Sequence, residues 1–149
     1  MVRKIIKEAL AASLGKLILV DNEILLNDIN ERSISHRLAN YLEPHFPGWN
    51  VDCEYNRNHD EIKRLQIQRR NIESDDTQAT TVFPDIIIHR RGKDDNLVVI
   101  EMKKTTSQEN DTYDIGKLNA FKKQLGYKFA IFVKIRTGEA AGVEKIDWI

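Results

Sequence analysis

The sequence lacks most features of secreted and membrane-spanning proteins. Its single cysteine, Cys53, has no disulfide partner and no CxxC context, so we expect a small core residue in a reducing cytoplasm. No run of about 18 apolar residues is present, so no membrane span is expected. The basic N-terminus is interrupted by Lys4, Lys7, Glu8 and Lys16, which makes it a poor signal peptide.

The chain also lacks an excess of either charge. It has 23 basic and 23 acidic residues, so any surface that binds nucleic acid must be a local patch. It has no glycine-rich phosphate loop, and its four histidines lack the paired spacing of a zinc site. The 149 residues, of which 41% are hydrophobic, are enough for a core of ordinary size. The sequence therefore predicts one globular domain over residues 1–149.

The spacing of apolar residues predicts helices and strands in a mixed order. Helices are expected at 2–14, 31–43 and 112–125, the last one ended by Gly126. Strands are expected at 49–56, 82–89, 97–104 and 128–136. From residue 31 onward, the order is therefore helix, three strands, helix, strand. This order favours an α/β fold in which a mixed β-sheet is flanked by helices.

Three segments lie outside that order. Residues 1–30 form a helical extension, in which residues 16–26 fit either a hairpin or a continuation of the first helix. Residues 57–80 are a polar insertion with room for a short helix or strand around 62–69. The final residues are weakly patterned, and we expect Trp148 to dock them on the domain.

Two acids interrupt the most apolar hairpin, VFPDIIIHRRGKDDNLVVIEMKK at 82–104. If the hairpin is symmetric about Lys93, Asp85 lies directly opposite Glu101, and Lys103 shares the face of Glu101. Like charges in these positions destabilise a sheet unless a cation compensates them. That cation is either a divalent metal ion held by both carboxylates or Lys103 in a salt-bridged cluster.

Two further acids can reach the same place. Glu31 is the first residue of the apolar stripe of the predicted helix at 31–43. It either joins the site or belongs to a capping box that begins at Asp28. Glu54, in the strand before the insertion, is either solvated or lies beside Asp85.

The residues Pro84-Asp85 and Glu101-Met102-Lys103 resemble the PD-(D/E)xK signature of the restriction-endonuclease-like nucleases. The predicted element order over residues 31–135 is also similar to the α-β-β-β-α-β core of that superfamily. The resemblance implies a metal-dependent endonuclease that uses Mg²⁺ or Mn²⁺ and acts on DNA, in a defence or repair system.

The resemblance also implies roles for individual residues. Asp85, Glu101 and the backbone carbonyl of Met102 would bind the metal ion. Lys103 would orient or deprotonate the attacking water, and Glu31 would support metal binding. Asp85, Glu101 and Lys103 are each expected to be needed for cleavage and dispensable for folding.

Basic residues near the motif are expected to contact nucleic-acid phosphates. They are Arg90, Arg91, Lys93, Lys104 and Lys117. A second basic group lies in the insertion, between residues 57 and 70. For both groups the alternative is an ordinary solvated surface.

Two other functions stay open beside the nuclease. One is a non-catalytic member of the same fold that binds DNA or regulates a partner protein. The other is a structural interaction module whose acids are salt-bridged, which predicts no stabilisation by metal ions. The pattern fits duplex, branched and single-stranded DNA as well as RNA. The resemblance further implies a homodimer, and the short chain leaves targeting to a partner protein.

Overall fold

A five-stranded mixed sheet with helices on both faces forms the centre of the computed structural model. The structure describes residues 1–55, 57–58, 61–62, 64–68 and 77–149, and the side chains of residues 1–55 and 82–149. The helices are α1 (Val2–Val20), α2 (Asn22–Leu26), α3 (Glu31–Leu42) and α4 (Asp111–Leu125), with a 3-10 turn at Glu43–His45. The strands are β1 (Asn50–Cys53), β2 (Arg57–Asn58), β3 (Glu61–Ile62), β4 (Arg64–Gln68), β5 (Thr77–Thr81), β6 (Ile86–Arg90), β7 (Asp95–Lys104), β8 (Phe129–Arg136) and β9 (Gly142–Trp148).

The sheet order is β1-β6-β7-β8-β9. Strands β1, β6 and β7 are antiparallel neighbours, whereas β8 runs parallel to β7 after the crossover through α4. The prediction of an α/β fold with a mixed sheet flanked by helices is therefore confirmed. Within the described residues, none of the helices has an apolar stretch of the length that a bilayer requires.

Residues 16–26 are helical, so the hairpin alternative for them is wrong. Helix α1 continues to Val20, and the short helix α2 follows directly. Leu17 and Leu25 are fully buried, which explains why the chain stays helical and packs against the domain. At the junction Asp21 accepts hydrogen bonds from Tyr41 and Arg37 of α3, which anchors the break between the two helices.

The sheet separates two apolar cores. One core lies under α1 and α3 and contains Ile86, Ile100 and Met102 of the central strands. The other lies under α4 and contains Val99 and Phe121. Because side chains alternate along a strand, Val99, Glu101 and Lys103 of β7 face α4. The two charged residues of the motif, at positions 101 and 103, therefore enter the α4 core.

The central hairpin has the expected register but an unexpected turn. Ile86 pairs with Ile100, and Ile88 pairs with Val98, as symmetry about Lys93 requires. Beyond Ile88 a register shift makes the turn asymmetric. Strand β6 begins at Ile86 and not at residue 82, because Pro84 has no N–H to continue the ladder.

The tail and the insertion contain strands that the apolar pattern shows only weakly. β9 pairs with β8 at the edge of the sheet, and Trp148 packs edge-on against Phe129 at 6.0 Å between ring centroids. The sequence of β9, GVEKIDW, is interrupted by charged residues, and its apolar side chains are only partly buried. In the insertion, β4 confirms a strand at 64–68. Residues 69–76 and the side chains of the second basic group lie outside the described part of the chain.

Candidate active site

The candidate site lies where β7 extends past the beginning of β6. The ladder between the two strands ends at Ile86 and Ile100, but β7 continues to Lys104. The backbone N–H groups of Met102 and Lys104 both point to the side that β6 no longer covers. Met102 N donates to Asp85 Oδ2 at 2.8 Å, and Lys104 N donates to Glu31 Oε2 at 2.8 Å. Two acids from different elements are thus fixed along the free edge of one strand.

Glu31 belongs to this site and not to a helix cap. The residue that caps α3 is Asn30, whose side chain accepts a hydrogen bond from Ser33 N at 2.8 Å. The capping box predicted from Asp28 is therefore wrong, and Glu31 is available to β7. Burial raises the pKa of Glu31, and the nearby carboxylate of Asp85 raises it further, against the hydrogen bond from Lys104.

Glu101 is buried on the α4 face, with 1% of its surface exposed. Burial raises its pKa well above the usual value, and the charge of Asp85 raises the pKa further. Glu101 Oε1 lies 2.8 Å from Lys117 Nζ, but this contact lacks hydrogen-bond geometry. The ammonium of Lys117 is nevertheless the close partner of this oxygen, and its charge opposes the rise in the pKa of Glu101.

The lysine next to these acids is Lys117 and not Lys103. Lys103 is 3% exposed and donates to the carbonyls of Glu109 and Asn110 at 3.2 and 3.1 Å. Its Nζ also lies 2.5 Å from Asp114 Oδ2, so the ammonium is held at the N-terminal part of α4. Lys103 shares the face of Glu101, as predicted, but its charged end is directed away from the acid pair.

Sequence reasoning placed Lys117 on the surface and did not single out Asp114. The sequence nevertheless contains a spacing that indicates both residues. Asp114 and Lys117 are three residues apart on one helix face, and Glu101 and Lys103 are two residues apart on one strand face. Packing the helix on the strand pairs each acid with the opposite lysine. Burial by itself lowers the pKa of Lys117, but the charges of Glu101 and Asp85 raise it above its usual value.

The donor groups suit a hard divalent cation. The described side chains contain no cluster of three or more His, Cys, Asp or Glu residues arranged to hold a metal ion. Mg²⁺ does not require one, because it commonly uses one or two carboxylates and keeps several waters. Asp85 and Glu101 supply the carboxylates, and the Met102 carbonyl faces the same side of β7 as its N–H. A cation bound there would share the Glu101 carboxylate with Lys117.

Three of the predicted phosphate-binding residues lie far from this site. Arg90, Arg91 and Lys93 are at the hairpin tip, and the length of β6 separates them from Asp85 by about 17 Å. Their predicted position near the acids is wrong, because an extended strand carries its two ends apart. Arg91 is bound to both carboxylate oxygens of Asp52.

The remaining predicted phosphate ligands lie at the site but are already paired. Lys104 Nζ lies 3.1 Å from Asp28 Oδ1, and Lys117 contacts Glu101. Arg90, which lies at the distant hairpin tip, is paired as well. It binds Asp95, and its guanidinium lies 4.0 Å from the ring centroid of Trp49.

Glu54 lies beside Asp85 through its backbone. Its N–H donates to the carbonyls of Pro84 and Asp85 at 2.9 and 3.3 Å. Its side chain is 38% exposed and accepts a hydrogen bond from Arg32 at 3.1 Å. Both alternatives are therefore partly right, since Glu54 adjoins Asp85 while its carboxylate meets solvent.

The raised pKa of Glu101 predicts a pH dependence of stability. In the metal-free protein the folded state keeps the Glu101 proton more tightly than the unfolded state does. Stability therefore falls as the pH rises above the usual carboxyl pKa, by up to about 1.4 kcal/mol per pH unit. We expect urea unfolding at pH 5 and pH 8 to show this loss in wild type and a smaller one in Glu101→Gln. Equal pH slopes in the two proteins would contradict it.

Comparison with known proteins identifies no relative. A scan of family models, a search of curated proteins and a search of solved structures each gave no match. The contacts among the buried acids and lysines are therefore the basis for a functional assignment.

Proposed function

We propose that the protein is a metal-dependent nuclease that hydrolyses phosphodiester bonds, with DNA as the expected substrate. The observation that carries the proposal is the pair Asp85 and Glu101, held together where β7 extends past β6. The half-buried Asp85 and the buried Glu101 provide two carboxyl groups, with the ammonium of Lys117 beside Glu101. Such a site attracts a divalent cation.

The finer fold assignment belongs to the same proposal. The three antiparallel strands β1, β6 and β7 lie between α3 and α4 in the chain, and β8 then joins in parallel. This is the order expected for a restriction-endonuclease-like core. Strand β9 adds a fifth member at the edge of the sheet.

Each residue of the site has a distinct task in this proposal. Mg²⁺ or Mn²⁺, when bound, would polarise the phosphodiester and lower the pKa of a water ligand. Asp85 and Glu101 would hold that ion, with the Met102 carbonyl as a third donor, and Glu31 fixes the end of β7 through the N–H of Lys104. Lys117 places a positive charge beside the reacting groups.

Lys103 acts as a positioning residue. Its ammonium binds two carbonyls and Asp114 at the start of α4, and thereby holds the helix that carries Lys117. This assignment departs from the role that the resemblance implies for Lys103.

One observation favours the non-catalytic alternatives. Lys103 is already paired with Asp114 and Lys117 with Glu101, as in a structural salt-bridge cluster. In that case the fold would bind DNA or regulate a partner protein without cutting. The expectations of a homodimer and of a targeting partner apply both to the nuclease and to the non-catalytic module.

The first experiment is thermal melting in EDTA, Mg²⁺ and Mn²⁺, with cleavage of plasmid and oligonucleotide DNA under the same conditions. We expect either cation to raise the melting temperature of wild type and to start cleavage, because it binds the folded protein through the half-buried Asp85 and the buried Glu101. Asp85→Asn should lose both responses.

The matched control is Asp95→Asn, which removes an exposed acid of the same hairpin that pairs with Arg90. It should melt and cleave as wild type does. Stabilisation without cleavage would support the non-catalytic module. If neither cation changes the melting of wild type, the acids form a structural ion-pair cluster.

A further inference from the structure

Phe83 is unusual among the aromatic residues of the chain. The chain has five Phe, two Trp and four Tyr residues, all within the ranges whose side chains are described. Of these, Phe83 alone is exposed, with half of its surface accessible. Its neighbours Val82 and Pro84 are buried, so the segment is packed on the domain while this one ring remains in solvent.

The backbone that carries this ring is held from two sides. The Phe83 carbonyl accepts a hydrogen bond from Lys117 Nζ at 2.7 Å, and the Pro84 carbonyl accepts one from Glu54 N at 2.9 Å. Phe83 is two residues from Asp85, a span of at most about 7 Å of extended chain. A fixed aromatic ring therefore stands at the edge of the acid pair and shares Lys117 with it.

An exposed cation lies beside Glu54, the residue whose N–H is bonded next to Asp85. Arg32 follows Glu31 at the start of α3, and its side chain is 78% exposed. It forms an ion pair with Glu54, which is bonded through its N–H to the carbonyls of Pro84 and Asp85. Exposed pairs of this kind contribute little to stability, so the guanidinium can exchange its partner for a phosphate.

We propose that Phe83 and Arg32 form a rim that binds an unpaired nucleobase and an adjacent phosphate, so that the site takes single-stranded nucleic acid. The inference rests on the proposed function and narrows its substrate class. An aromatic side chain stacks on a base face, and in a duplex those faces are covered by neighbouring bases. A single strand, a flap or a frayed end offers both the base and the phosphate.

The test measures binding without cleavage, by fluorescence anisotropy in EDTA. The probes are a labelled single-stranded oligonucleotide, the same strand as a duplex, and a strand with an abasic stretch. Wild type should prefer the single strand with bases. Phe83→Leu should weaken binding of the single strand by about 5- to 150-fold and remove the discrimination against the abasic strand. Phe83→Trp keeps an aromatic ring, so it should keep both the affinity and the discrimination of wild type.

Two further variants separate the parts of the rim. Arg32→Gln should weaken binding to all strands and lower the salt dependence by about one phosphate contact. Leu19→Ala, which removes an apolar side chain that is 82% exposed on α1, should change nothing. Circular dichroism of each variant checks that the fold is kept.

The outcomes distinguish this inference from the nuclease proposal. Equal binding of single strand and duplex by wild type, or unchanged binding in Phe83→Leu, overturns the rim even if metal-dependent cleavage is observed. Cleavage that requires Glu101 but is indifferent to Phe83 leaves the nuclease standing and the rim refuted. Absence of any binding to nucleic acid, together with absence of cleavage, refutes both.

Discussion

Glu101→Gln should abolish metal-dependent cleavage while the metal-free protein stays at least as stable as wild type at pH 8. Glutamine keeps the shape of the protonated acid, which is the form that burial and Asp85 favour. Lys117 retains the Phe83 carbonyl and the charge of Asp85 as partners. The fold therefore loses little, whereas the site loses one of its two carboxylate donors.

The loss of cleavage should exceed about 100-fold, because changing a group that only supports a metal ligand already costs 10- to 100-fold. The measurements are initial cleavage rates in Mg²⁺ and urea unfolding in EDTA on the same preparations. Glu109→Gln, which changes an exposed acid in the loop before α4, is the control. Loss of the folded state in Glu101→Gln, with no response of wild type to metal, would make the Glu101–Lys117 pair structural.

Lys103→Met should destabilise the protein strongly, by about 3–5 kcal/mol. The substitution leaves the Asp114 carboxylate, which is 14% exposed, without its partner. It also removes the donor for two carbonyls at the start of α4. The resemblance predicts a different result, in which Lys103 is needed for cleavage and dispensable for folding.

The double variant Lys103→Met/Asp114→Leu separates the two possibilities. It removes both charges together, so it should regain most of the lost stability if the pair is structural. Lys123→Met, at an exposed position of α4, should unfold as wild type does. If Lys103→Met keeps wild-type stability in urea and is inactive, Lys103 has the role that the resemblance implies.

Lys117→Met provides the complementary measurement. In this variant Glu101 can take up a proton in place of the ion pair, so we expect a smaller loss of stability than in Lys103→Met. Cleavage should fall in Lys117→Met even under conditions where the protein is fully folded. Full activity in Lys117→Met would exclude Lys117 as the lysine that provides a positive charge beside Asp85 and Glu101.

Much of the architecture follows from local patterns in the sequence. Apolar spacing predicts α3, α4 and the central strands, and Gly126 ends α4 with a φ of 69°, a conformation that glycine adopts without strain. The alternation of side chains also places Glu101 and Lys103 on one face. These features depend on residues close together in the chain, so periodicity is enough to predict them.

The contacts that define the candidate site depend on the tertiary structure. The sequence suggests Asp28 as the cap, whereas the structure uses Asn30, and only the approach of α3 to Lys104 N brings Glu31 into the site. The choice between Lys103 and Lys117 likewise depends on how α4 lies across β7. Burial forces each charge to find a partner, and the partner is whichever opposite charge the packing of separate elements brings within reach. A one-dimensional pattern determines which face a residue occupies, whereas the distance between two faces exists only in the folded chain.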